Sequence, residues 1–131
     1  MTLITTAAEE TDAPPFEELL LKAAVTPRDQ AAVRALVEEE QILASDIVRR
    51  DLVQQTDAGV EFTWQHLACN LYGLGLDESG RAFVDLVLSI AWPHQTSLVR
   101  VMDLDERRLA ILLRAMISLS GVDTLAVGTR L

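Results

Sequence analysis

Residues 27–55 read PRDQAAVRALVEEEQILASDIVRRDLVQQ. Thr26-Pro27-x-Asp29 opens the stretch with an N-cap, a proline at the first helical position and an acid at the third. No glycine or further proline follows before Gly59. At about 100° per residue, Val33, Leu36, Val37, Leu43, Ala44, Ile47 and Val48 share one arc of about 140°. The pattern predicts a single helix roughly 43 Å long at about 1.5 Å per residue, closed by a turn at Thr56-Asp57-Ala58-Gly59. It sets the expected fold class as all-α: an irregular bundle of about five helices with one long helix (about 27–55).

Working outward, Pro14-Pro15 opens a short helix, FEELLLKAAV, with acids in its first turn and Lys22 later, as the helix dipole favours. Residues 1–13 are small, acidic and aperiodic, and are expected as a flexible acidic tail ahead of a single helical domain over 14–131. A third helix is expected from Thr63 as N-cap to Tyr72, with Trp64, Leu67, Ala68 and Leu71 on one face. A fourth, capped by Asp77, covers 78–91 and turns Phe83, Val84, Leu86, Val87, Ile90 and Ala91 inward before Pro93 closes it. A fifth is expected from a cap at Asp103 to about Ser120, with Gly121 as its stop. Thr96–Val101 reads as a helical turn, and 122–131 as a strand-like or docked tail. Trp64, Leu67, Ala68 and Leu71 resemble the first helix of a tetratricopeptide unit. No second copy follows about 34 residues on, so the pattern reads as ordinary helix-hairpin packing.

Composition narrows the function. In 131 residues, half are hydrophobic and 24% are charged, which excludes a disordered or fibrous chain. Net charge is −9, unevenly spread: residues 1–62 hold 13 acids against 5 bases, whereas 63–131 hold 7 against 6. Binding to nucleic acid or to an anionic membrane would need clustered Lys and Arg, so neither is an expected partner. One cysteine, Cys69, excludes an internal disulfide and a multi-cysteine metal site and fits a reducing cytoplasm. The charge-free stretches Phe62–Leu76 and Leu86–Val99 are too short to span a bilayer. Ten of the eleven basic residues are Arg, a bias that suggests a bacterial genome rich in GC.

Chemistry-bearing patterns are sparse. His66 and Cys69 lie three apart on one predicted helix, but a nucleophilic pair also needs an orienting group and an oxyanion site. They read instead, with Gly73, as a small-residue face opposite Trp64 that admits another helix. Glu38 and Glu39 fall on the polar side of the predicted long helix, whereas Glu40 and Asp51 fall inside its apolar stripe. The last helix is apolar almost all round, with one polar strip of Arg107, Arg114 and Ser118. Glu40 and Asp51 are therefore expected as structural ion-pair partners of Arg107 or Arg114.

A helix apolar all round is either central in the fold or at an oligomer interface. Leu109, Leu113 and Ile117, flanked by Arg107 and Arg114, are the expected interaction residues. With mean hydropathy +0.22, the expected protein is a non-enzymatic bacterial helical interaction or adaptor protein, a homodimer or the mate of another protein. No catalytic, metal or cofactor site is expected. The alternative reading, from the acidic N-terminal half, is a regulator that mimics nucleic acid and sequesters a basic partner.

Overall fold

The segment 27–55, expected as one helix, folds into four pieces in the computed structural model, which describes residues 15–130. The acidic tail expected over 1–13 lies outside the described residues. Helix α1 spans Phe16–Ala23 and α2 spans Pro27–Glu39, capped by the Thr26 hydroxyl as expected. Helix α2 then stops, and a 3₁₀ turn (Ile42–Ala44), a short α3 (Asp46–Leu52) and strand β1 (Val53–Thr56) follow.

The break sits at Glu40, whose φ of 73° and ψ of −45° place it in a γ-turn closed by the Gln41 N–H donating to Glu39 O at 2.9 Å. Three contacts hold it there. The Glu39 carboxylate accepts from Ile42 N–H at 2.7 Å, while Arg107 donates to the carbonyls of Glu38 and Glu39, both at 2.8 Å. Arg107 thus satisfies helix-end carbonyls, and the Glu39 carboxylate an N–H, that a longer helix would have paired along its own ladder. Ser45 then caps α3 by accepting from Val48 N–H. Along the expected stripe, Val33, Leu36, Leu43 and Val48 are buried, but Ala44 and Ile47 face solvent.

The turn expected at Thr56–Gly59 joins β1 to β2 (Gly59–Phe62) in an antiparallel hairpin with Val53 opposite Phe62 and Thr56 opposite Gly59. Gly59 has φ of 122°, a conformation costly for any side chain with a Cβ. Helix α4 covers Trp64–Cys69 and continues as a 3₁₀ turn (Leu71–Gly73), so the expected helix to Tyr72 tightens after Cys69. Trp64, Leu67 and Leu71 are buried. Helix α5 spans Glu78–Ala91, with Asp77 accepting from Gly80 N–H at 2.7 Å.

A 3₁₀ segment, Leu98–Asp103, precedes α6, Glu106–Ser120. Its cap is Asp105 rather than the expected Asp103, which ends the 3₁₀ segment; Asp105 accepts from Arg108 N–H at 2.8 Å. Gly121 stops α6 in the left-handed conformation (φ 79°). Thus the fold is all-α with one small hairpin, helix α5 has its expected bounds, and the expected long helix is replaced by shorter pieces.

The core lies between α2, α5 and α6. Helix α2 packs on both others, and its Ala32, Val33 and Leu36 belong to one buried cluster with Phe83, Val87, Ile111 and Leu112. Helix α1 covers α2 and β2, and α4 bridges α3 to α5. Beyond α6 the chain turns back, and Val127–Arg130 form one wall of a cleft whose other wall is Glu106, Ala110 and Leu113 of α6. The segment 122–130 stays exposed apart from the half-buried Val127 and forms no strand.

Candidate interaction surface

Helix α6 reconciles its nearly continuous apolar surface by facing three ways. Arg108, Ile111, Leu112 and Ala115 turn inward and are buried. Arg114 and Ser118 lie along the α2 seam, where Arg114 pairs with Glu38. Leu109, Leu113, Met116 and Leu119 line a groove of about 560 Å³.

The inward face is fixed by a buried charge network. Glu39 is fully buried, and one of its oxygens accepts from Arg108 Nε at 3.0 Å and lies 2.9 Å from Nη2. Its other oxygen takes the Ile42 N–H. Arg108 also donates to Gln41 Oε1 at 3.1 Å and to Asp105 at 3.4 Å. The arginine is thus shared among three acceptors around one buried carboxylate, the arrangement that makes burial of both charges tolerable.

The ion pairs expected from Glu40 and Asp51 are replaced by these. Glu40 is exposed at the γ-turn. Asp51 accepts from Asn70 Nδ2 at 2.7 Å and lies 3.7 Å from Arg50. A continuous helix would have carried Glu40 on its apolar stripe. Because α2 ends at Glu39, it is Glu38 and Glu39 that meet Arg114, Arg107 and Arg108 of α6. Arg107 serves mainly as a cap on the α2 carbonyls, its guanidinium 3.9 Å from the Glu39 carboxylate. Glu39, expected on the solvated side of a long helix, is fully buried, because the buried face of the shorter α2 runs through Ala32, Ala35 and Leu36 beside it.

The groove has Leu86 and Ile90 of α5 on one side and those four α6 residues with Leu112 on the other, with Leu98 and Val101 of the 3₁₀ segment at its end. Ser89 is the one polar residue in the lining. Of the expected interaction residues, Leu109 and Leu113 line this groove, whereas Ile117 is half-buried and does not. Leu98, Val99 and Met102 project as an exposed apolar ridge beside it.

Asp85 of α5 holds that ridge in place. Its carboxylate accepts from His94 Nε2 at 2.6 Å, Thr96 Oγ1 at 2.9 Å and Arg100 Nε at 3.2 Å, and Arg100 also reaches Asp103 at 3.4 Å. Three donors spread over 94–100 converge on one acceptor that is mostly buried. An acid in the middle of an apolar helix, followed within fifteen residues by a histidine and an arginine, is the sequence signal for this clamp.

His66, Cys69 and Gly73 are all exposed, so no helix among the described residues packs on the face they form. Elsewhere, Phe62 stacks on Trp64 with ring centres 5.2 Å apart, and the Trp64 indole N–H donates to Asp29 at 2.9 Å. Among the described residues no group of three His, Cys, Asp or Glu side chains could hold a metal ion, and no helix is long and apolar enough to cross a membrane. No protein-family model, no curated protein and no solved structure matches the chain.

Proposed function

We propose that this chain is a non-catalytic helical interaction protein of the bacterial cytoplasm, and that it acts by burying the α5–α6 groove against another protein. One observation carries the reading: a groove of about 560 Å³ whose lining is apolar apart from Ser89, flanked by the exposed ridge Leu98–Met102. Contiguous apolar surface of this kind is the common mark of a protein–protein contact, because water leaves it only when a partner covers it. The cytoplasmic assignment rests on the single, exposed thiol of Cys69; the bacterial one rests on the arginine bias.

Photo-crosslinking in the native host tests the reading. A photoactivatable residue at Met116 should give a discrete crosslinked product that disappears when Leu98→Asp is added. The same residue at Glu18, exposed on α1, should give none. Equal products from the two positions, or none from Met116, would overturn the proposal.

A further inference from the structure

Resting on that reading, we infer that the protein seated in the groove is a second copy of this chain, related by a two-fold axis, with the Leu98–Met102 ridge of each copy in the groove of the other. The amount of surface fits. Leu98, Val99 and Met102 are 72%, 57% and 79% exposed, and Leu113, Met116 and Leu119 are 38%, 47% and 37% exposed. Together these six leave roughly 600 Å² of apolar area in solvent, and a standard interface takes about 800 Å² from each partner, a little over half of it apolar.

The shape fits as well. A two-fold interface requires one patch to be complementary to itself, so that residue i meets j and j meets i. Here a projecting element and a concave one lie side by side on the same face, both supplied by residues 86–119. Turning one copy over sets each ridge opposite a groove.

Charge selects the same occupant. Of the cations nearest this face, Arg100 pairs with Asp85 and Asp103, and Arg130 stands exposed beside Leu109 and Leu113. The rim therefore offers no cluster of charge that would select a strongly basic or acidic helix. The acidic excess belongs to residues 1–62, of which the described part, 15–62, supplies none of the groove lining, and residues 63–131 are almost neutral. Two copies meet here with little repulsion despite a net charge of −9 each.

Light scattering on the purified full chain, from micromolar to submillimolar, tests the inference. The expected mass rises to twice 14.4 kDa and persists in high salt. Met102→Asp, at a side chain whose exposure spares the fold, should raise the dissociation constant more than about tenfold with the circular dichroism unchanged. In a Cys69→Ser background, mixing Met102→Cys with Met116→Cys chains should give the mixed disulfide in preference to either symmetric one. A mass of 14.4 kDa at every concentration overturns the second copy. So does a dimer indifferent to Met102→Asp, or a statistical mixture of disulfides. If the Met116 crosslink in the host persists while the purified chain stays monomeric, the groove reading stands and only its occupant is wrong. If both fail, both readings fall.

Discussion

Replacing Arg108 by Met keeps most of the aliphatic volume at a buried position and removes the guanidinium that faces Glu39. The Glu39 carboxylate, fully buried, would retain only the Ile42 N–H at 2.7 Å and the Arg107 guanidinium at 3.9 Å. Stranding one member of a buried pair costs about 3–5 kcal/mol, a large part of the 5–15 kcal/mol that typically separates folded from unfolded domains. With a urea slope of about 2 kcal/mol per molar, the unfolding midpoint should drop by about 2 M. Glu39→Gln should cost less, about 1–2 kcal/mol, because Arg108 keeps Gln41 and Asp105 and the amide oxygen can still accept from Ile42. The double variant should recover part of the Arg108→Met loss, giving a coupling energy above about 1 kcal/mol. Urea unfolding followed by far-ultraviolet circular dichroism measures all three. An Arg108→Met midpoint within the error of the parent, or strictly additive losses, would refute the view that this pair pins α6 to α2.

Other outcomes follow from the same contacts. Asp85→Ala leaves three donors without their acceptor and should cost about 3 kcal/mol at about 1 kcal/mol for each bond lost; limited trypsin digestion should then cut first at Arg100. Glu40→Gly relieves a side chain held at φ 73° and should stabilise by about 1 kcal/mol, read as a higher urea midpoint. The exposed Cys69 thiol should react with a thiol reagent in the native protein as fast as in the unfolded one, and Cys69→Ala should move stability by less than about 0.5 kcal/mol. Breaking the exposed Glu38–Arg114 pair with Arg114→Ala should cost no more than about 1 kcal/mol, in contrast to Arg108→Met one turn and a half away.

Local signals proved sufficient wherever local chemistry decides. Pro15, Asp77, Pro93 and Gly121 mark helix ends through their own backbone limits or side-chain oxygens, and α1, α5 and the end of α6 lie where those residues place them. The break at Glu40 has no such signature. It contains neither Gly nor Pro, and it is held by arginines 67–69 residues away that reach back to its carbonyls and carboxylate. A helix continued through it centres its apolar stripe on residues beyond the break, such as Ala44 and Ile47, and so turns Glu40 and Asp51 inward. The buried face of α2 by itself runs through Ala32, Ala35, Leu36 and Glu39. The hairpin was obscured for a related reason: Val53–Thr56 has two glutamines and one apolar residue, too little alternation to outweigh a helical stripe. Leu109 and Leu113 could be read as surface residues because the apolar arc of α6 exceeds what its neighbours can enclose. The clamp on Asp85 could not be weighed without knowing that the chain turns back after Trp92.

The separation between Glu39 and Arg108 also matters while the chain is being made. At about 5–20 residues per second, the ribosome needs about 3–14 s to add the 69 residues between them. Throughout that interval α2 has been synthesised, but the helix that covers Ala35 and supplies the counter-charge to Glu39 does not yet exist. The early chain must wait with an apolar face and an uncompensated acid, open to chaperones or to other nascent chains. Substitutions that weaken α6 docking therefore act twice, once on the finished fold and once on the fraction of chains that reach it, and soluble yield falls further than equilibrium unfolding alone would indicate.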